Sequence, residues 1–204
     1  MDIALNFINK SDDTAPAEIV IFSRNVATGP SEIPLAWLVF SCAPGGHRPF
    51  AYPVESSIAF GDSYGNRSQP IPAMPGEQFV VVGAGSGDTI RRSGNAGAPD
   101  EIVLVNGLAK GAISVAIYKD GRVFASVNEV VPQQKAVFKF APTIWIGTIA
   151  QAEQGQVMDE AVVSAVNTEI SLLGIRSADI VMTGGGAGAQ AVPYVFTLQN
   201  VVMA

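Results

Sequence analysis

The stretch that decides the fold is ISVAIYKDGRVFASV, residues 113–127. Apolar residues alternate with polar or small ones on both sides of Asp120-Gly121, which is the period-two pattern of a half-buried strand. Asp-Gly suits a two-residue type I′ turn, because both of its positions require a positive φ. The stretch therefore predicts an antiparallel hairpin, with Lys119 and Arg122 flanking the turn in solvent.

Short apolar runs separated by turn residues continue along the whole chain. Runs rich in Val, Ile and aromatic residues, broken by Gly, Pro, Asn and Asp, are typical of many short strands. Besides the hairpin, strands are predicted at residues 3–9, 18–23, 35–42, 56–60, 78–82, 101–105, 135–140, 143–149, 169–175, 179–183 and 194–203. Residues 157–166 fit either a short helix or a further strand, so the predicted total is about 12–14 strands.

This pattern predicts an all-β fold, namely an antiparallel β-sandwich or jelly roll with little helix. Antiparallel sheets are expected because the sequence offers few helices to cover parallel ones. Residues 43–49, 69–76 and 91–100 are rich in proline or glycine and are predicted to be loops, since proline lacks the N–H that a strand ladder needs. We expect one domain over residues 1–204, with a subdivision near residues 91–100 as the alternative.

The chain is poor in charge. Only 15% of its 204 residues are charged, against about 25% in an average soluble domain, and its mean hydropathy is +0.31. Two interpretations stay open: part of the surface is hidden in a homo-oligomer, or the surface is built from uncharged polar residues. The net charge is −6 and Arg91-Arg92 is the only basic pair, so nucleic-acid binding is not expected.

The N-terminal sequence and the cysteine content bear on the compartment. Met1-Asp2 places an acid where a secretory signal needs positive charge, and no apolar segment of about 18 residues is found. Cys42 is the single cysteine, so an intrachain disulfide is impossible. We therefore expect a cytoplasmic protein, while release without a signal and contact with a membrane stay open.

Two glycine-rich segments look like nucleotide- or anion-binding loops. Residues 80–88, VVVGAGSGD, begin like a dinucleotide fingerprint, but Asp88 stands where a third glycine is needed and no helical pattern follows. Residues 183–189, TGGGAGA, could form an anion-binding nest, although the Lys-Ser/Thr pair of a phosphate-binding loop is missing. We expect a β-turn at the first segment, a strand connection at the second, and no cofactor.

Catalytic and metal-binding patterns are weak. Cys42 and His47 are five residues apart, but the apolar run before Cys42 predicts a buried, unreactive thiol. A structural zinc site needs about four nitrogen or sulfur ligands, and these two side chains are the only thiol and imidazole. Asp62 with Asn66 offers oxygen ligands for calcium, and the alternative there is an ordinary Asx-turn.

The feature that favours a function is a set of aromatic and polar residues in predicted loops. Aromatic rings beside carboxylate, amide and guanidinium groups bind sugars by stacking and directed hydrogen bonds. Loops on rigid β scaffolds often carry function, and the alternative is that these rings close the end of the core. The candidate ligand-binding residues are Phe50, Tyr52, Asp62, Tyr64, Asn66 and Arg67.

These observations favour a non-enzymatic β-sandwich protein that acts by self-association or by binding a ligand, with a carbohydrate as the leading candidate. The second hypothesis is a released lectin-like or membrane-active toxin or effector, which low charge and strands rich in Ser, Thr and Gly also suit. The third is a carboxylate-dependent hydrolase, whose paired carboxylates need only be close in space.

Overall fold

The computed structural model describes residues 2–27, 34–85, 87–149, 153–158 and 168–204, and over these ranges the all-β prediction is confirmed. The only helical element in these ranges is a 3-10 turn, Gly188–Gln190, and no helix there is long and apolar enough to cross a membrane. The strands are β1 (Ile3–Asn9), β2 (Ala17–Phe22), β3 (Leu38–Cys42), β4 (His47–Tyr52), β5 (Ser56–Asp62), β6 (Ile71–Ala73), β7 (Glu77–Ala84), β8 (Gly87–Asn95), β9 (Ile102–Asn106), β10 (Ile113–Lys119), β11 (Arg122–Val130), β12 (Lys135–Phe138), β13 (Thr143–Thr148), β14 (Thr168–Ser171), β15 (Ile175–Gly185) and β16 (Val192–Met203).

The hairpin predicted at Asp120-Gly121 is confirmed, since β10 and β11 pair antiparallel with Lys119 opposite Arg122. Asp120 has a φ of 50° and Gly121 a φ of 70°, the two positive values that a type I′ turn requires. The prediction that Lys119 lies in solvent is wrong. Arg122, on the other side of the turn, is half-buried and forms an ion pair with Asp120. Lys119 is only 6% exposed, and its Nζ lies 5.2 Å from the centroid of the Phe124 ring, which is a cation–π distance.

The chain divides into two compact units, of which the first consists of Met1–Ser23, Ile33–Val54 and Pro142–Ala204. This unit contains two four-stranded sheets, with the orders β16-β15-β1-β4 and β14-β13-β2-β3. Phe7 of β1 meets Phe40 of β3 edge to face, with 5.4 Å between the ring centroids. The two sheets of this unit therefore share a core in the manner of a sandwich.

The second unit consists of Arg24–Glu32 and Glu55–Ala141, and its two four-stranded sheets have the orders β11-β10-β5-β6 and β12-β9-β7-β8. Phe124 of β11 and Phe138 of β12 both contact the Phe140 ring, at centroid distances of 4.9 and 6.3 Å. The core of this unit therefore lies between its two sheets. Residues 91–100 lie inside this unit. That residues 1–204 fold as one domain stays a prediction.

Three segments that were expected to be loops contain strands. β4 begins at His47 and includes Pro49, β6 includes Pro72, and β8 continues to Asn95. Each of these three is the outermost strand of its sheet. An edge strand has a neighbour on one side only. It accommodates proline, because the missing N–H can face away from that neighbour, and it tolerates glycine for the same reason.

The strand predicted at residues 35–42 is shorter in the structure. It begins at Leu38, while Leu35 forms an isolated bridge with Val157. Residues 157–166 were predicted as either a short helix or a strand. Most of this segment, residues 159–166, lies outside the described residues.

The sheets are mainly antiparallel, as predicted, and they contain two parallel pairs among the described strands. β1 pairs parallel with β15, and β7 pairs parallel with β9, each at the centre of its sheet. Parallel neighbours need a long crossover connection, for which a helix is the usual solution. Between β1 and β15, the described residues of the first unit form other strands and no α-helix.

The glycine-rich segment 183–189 covers the end of β15 and the turn that leads toward β16, so it links the two strands as predicted. One N–H of this segment is used within the chain, since the Gly186 N–H donates to Asp13 Oδ1 at 2.9 Å. The Ser11 and Tyr194 hydroxyls donate to Asp13 Oδ2, also at 2.9 Å. Burial raises the pKa of Asp13, but these three hydrogen bonds outweigh it and leave the pKa below its ordinary value.

Gly184 holds this connection in a shape that a side chain would disturb. Its φ is +90°, and a Cβ at this position would collide with the carbonyl oxygen of Pro193. We expect Gly184→Ala to lower the free energy of unfolding by about 2–4 kcal/mol, because backbone strain and the clash add together. Urea denaturation measures the change.

The matched control is Gly111→Ala, since Gly111 has a φ of +93° but nothing within 4 Å of the added Cβ. It should lower the free energy of unfolding by only about 1 kcal/mol, from strain alone. Equal losses in the two variants would contradict the close approach of Pro193.

Candidate ligand-binding loop

The loop between β5 and β6 is ordered by one carboxylate. Asp62 Oδ1 accepts hydrogen bonds from the backbone N–H groups of Tyr64 and Asn66, each at 2.9 Å, and Oδ2 accepts one from Asn66 Nδ2 at 2.8 Å. Gly65, with a φ of +90°, donates its N–H to the Asp62 carbonyl at 3.3 Å. These hydrogen bonds form an Asx-turn, which was the alternative to a calcium site. Its geometry is set by residues within four positions of one another.

Tyr64 lies inside this turn and is 90% exposed, more than any other large hydrophobic side chain among the described residues. Leaving an aromatic ring in water costs free energy, and a ring of this size gains much from contact with a partner surface. The turn therefore presents Tyr64 on a backbone that is already fixed.

A surface cleft of about 370 Å³ lies beside the turn. Pockets of this size are at the small end of those that hold small-molecule ligands. The cleft brings together three of the predicted site residues, Asp62, Asn66 and Arg67, and combines two charges of opposite sign with an amide. Its lining residues are Phe60, Asp62, Asn66, Arg67, Ser68, Gly87 and Asp88.

Asp88 is the cleft residue that sequence analysis misses. The glycine-rich segment 80–88 forms the β7–β8 hairpin, in which Ala84 pairs with Gly87, and this agrees with the predicted β-turn. The hairpin brings Asp88 to the cleft. A glycine-rich link between two strands is the available signal, but β8 lacks the alternating apolar pattern that identifies a strand.

Phe50 and Tyr52 belong to the first unit, and their prediction as loop residues is wrong because both lie in β4. Tyr52 is 4% exposed, its ring centroid lies 5.8 Å from that of Trp37, and burial raises the pKa of Tyr52 to about 12. Phe50 packs against Phe40 at a centroid distance of 6.3 Å. Tyr52 therefore belongs to the core of the first unit, and Phe50 is half-buried beside Phe40.

Cys42 is buried, in agreement with the prediction. Burial is the largest effect on its thiol and raises the pKa of Cys42, whereas a nucleophilic cysteine requires a lowered pKa. The Sγ–H is placed to donate a weak hydrogen bond to the Ala43 carbonyl oxygen at 3.8 Å. His47 lies at the exposed beginning of β4.

The hydrogen bonds of the turn make its stability depend on pH. The Asn66 side chain is the main cause that holds the pKa of Asp62 below its ordinary value, and the N–H groups of Asn66, Tyr64 and Gly65 add to it. Since the unfolded pKa is about 3.9, ionised Asp62 stabilises the folded state above about pH 4. This contribution is lost as the pH falls through the lower, folded pKa.

We expect Asp62→Ala to lower Tm at pH 7, and the difference from the unmodified chain to shrink as the pH falls below about 4. Thermal melts followed by circular dichroism over a pH series measure this. Glu55→Ala removes an exposed carboxyl outside the turn and should leave Tm unchanged. A Tm difference for Asp62→Ala that is constant down to pH 2 would contradict the role of the charge.

Chelation should leave the fold as it is. Three N–H donors already orient the Asp62 carboxylate, and no three His, Cys, Asp or Glu side chains in the described ranges lie close enough to hold a metal ion. We expect EDTA to change Tm by less than about 1 °C. A clear drop in Tm that added calcium restores would assign Asp62 and Asn66 to a calcium site.

Comparison with known proteins places the chain in a family. A family model described as RhiA matches residues 2–181, which include strands of both compact units. No match was found among curated proteins or among solved structures. The chain therefore belongs to the RhiA family.

Proposed function

We propose that this RhiA-family chain is a non-enzymatic binding protein whose ligand, a carbohydrate, docks on the β5–β6 turn and its cleft. The observation that carries the proposal is Tyr64, an aromatic ring that is 90% exposed on a turn held by four hydrogen bonds to Asp62. A preformed turn reduces the entropy lost on binding, so more of the contact energy contributes to affinity.

The chemistry of the cleft suits a sugar. The face of Tyr64 can stack on the C–H groups of a sugar ring, while hydroxyl groups are both donors and acceptors of hydrogen bonds. Arg67 offers donors, Asp88 offers acceptors and Asn66 offers both, all beside the same cleft. A neutral polyol with a partly apolar face matches this mixture better than an anion, which the two carboxylates would repel.

Binding without catalysis is favoured by the ionisation of the carboxyls. Hydrolysis of a glycoside needs one carboxyl that keeps its proton at neutral pH, and therefore has a raised pKa. The pKa values of Asp13, Asp62, Asp100 and Asp179 are all lowered by hydrogen bonds. Lowered pKa values favour the ionised form, which accepts hydrogen bonds, over the protonated form that a general acid needs.

The test is a glycan array probed with the labelled chain, followed by calorimetry with a glycan that binds. We expect Tyr64→Ala to weaken that affinity at least about tenfold, or about 1.4 kcal/mol, because it removes the stacking surface. Tyr64→Phe keeps the ring and should retain the affinity within about threefold. Met74→Ala, at a 64% exposed position of the same unit, is the control for loss of apolar surface elsewhere.

Two results would overturn the proposal. One is an array on which the folded chain binds no glycan, and the other is binding that Tyr64→Ala leaves unchanged. Release of products from the bound glycan, detected by mass spectrometry, would instead favour the hydrolase hypothesis.

A further inference from the structure

β16 is a long, uncharged strand at the edge of its sheet. It has twelve residues, VPYVFTLQNVVM, and it is the outermost strand in the order β16-β15-β1-β4. One edge pairs with β15 from Ile175 to Gly185, and no strand among the described residues pairs with the other edge. Half of the backbone N–H and C=O groups of such an edge point outward, which makes it a template for another strand.

The side chains of β16 are unusually exposed for their chemistry. Phe196 and Leu198 are half-buried, and the Phe196 ring lies 6.5 Å from Phe7, so these alternate residues face the core. The exposed hydrophobic residues of the strand are Val192, Tyr194, Val195, Val201, Val202 and Met203. These exposed apolar residues form two groups, one at each end of the strand, and exposed apolar groups of this kind are typical of an interaction surface.

The other edge strands carry the features that normally prevent pairing. β4 and β6 contain proline, β8 contains Asp88, Arg91 and Arg92, and β11 contains two charged residues. β12 and β14 have four residues each with one charge, and β3 has five residues. Proline, charge, short length and bulges are the usual protections of an edge. β16 has Pro193 near its beginning and irregularities in its pairing with β15, but it carries no charge and is twelve residues long.

The sequence of β16 suits pairing with itself. Its two ends are apolar, and its centre contains Thr197, Gln199 and Asn200, so the pattern reads similarly in both directions. In an antiparallel pair of identical strands, apolar ends therefore meet apolar ends and polar residues meet near the centre. The whole chain has a net charge of −6, and an uncharged strip is where two copies can approach without like charges in contact.

We infer that β16 is the interface through which two copies of this chain pair edge to edge, antiparallel, to join their sheets into one eight-stranded sheet. Twelve residues give a strip about 40 Å long, and a sheet about 10 Å thick gives roughly 400 Å² per copy. Stable interfaces bury about 800 Å² per partner, so the dimer is weak and depends on concentration. This surface is independent of the ligand-binding loop.

The test uses charge reversal at two exposed positions, Val195 and Val201. We expect the unmodified chain to pass from monomer to dimer in sedimentation velocity between about 1 and 500 µM. The doubly basic variant (Val195→Lys, Val201→Lys) and the doubly acidic variant (Val195→Glu, Val201→Glu) should each associate at least about tenfold more weakly. Mixing the two variants should restore the dimer, since opposite charges then face each other.

The control is Val26→Lys, at an equally exposed valine outside β16, which should dimerise like the unmodified chain. The inference is overturned if the unmodified chain stays monomeric over the whole range, if the doubly basic or the doubly acidic variant alone dimerises as strongly as the unmodified chain, or if the mixture of the two stays monomeric. Should a variant fail to fold, hydrogen exchange of the unmodified chain decides, because the β16 amides must gain protection at high concentration.

Vesicles of phosphatidylcholine and phosphatidylglycerol separate a second copy from a membrane. We expect no co-sedimentation of the chain with them. The chain could instead stay monomeric in solution and bind these vesicles, with binding lost in the doubly acidic variant. That result would overturn the dimer and identify a lipid surface as the partner of β16.

Discussion

The structure depends on one constraint, which is that a chain built almost entirely of strands must satisfy its backbone hydrogen bonds between segments and not within them. A helix pairs its own N–H and C=O groups, whereas every strand needs a neighbour. The described part of the chain meets this need with four sheets of four strands each, two in each compact unit. Four open sheets have eight edge strands. The proline content, charge and length of each edge strand determine whether it can pair with a further strand.

Buried amides satisfy the backbone groups that the sheets leave over. The Asn106 side chain is buried, and its Nδ2 donates to the carbonyl oxygens of Gly111 and Val130 while its Oδ1 accepts from the Leu108 N–H. Asn25 acts similarly, since its Nδ2 donates to the Val137 carbonyl oxygen and its Oδ1 accepts from the backbone N–H of Lys139. Such residues substitute for strand neighbours where the chain turns between sheets.

Local features were predictable from the sequence, and long-range ones were not. The Asp120-Gly121 hairpin and the Asp62 turn are encoded by residues within a few positions of one another, so their chemistry can be read directly. Pro49 and Pro72 were misleading, because proline excludes a central strand but not an edge, and edge position is a property of the folded sheet. Tyr52 fits a binding loop by composition, and only packing against Trp37 reveals it as core.

The order of the segments along the chain has a consequence for how the protein is made. The second unit is complete once residue 141 has been synthesised, whereas β1 at the start of the chain waits for β15, with Asn6 opposite Asp179. At about 5–20 residues per second, the ribosome needs roughly 10–35 s to supply that partner. Until β15 is synthesised, β4 is the only described partner of β1 that exists, so the other edge of β1 stays unpaired while the whole second unit is being translated.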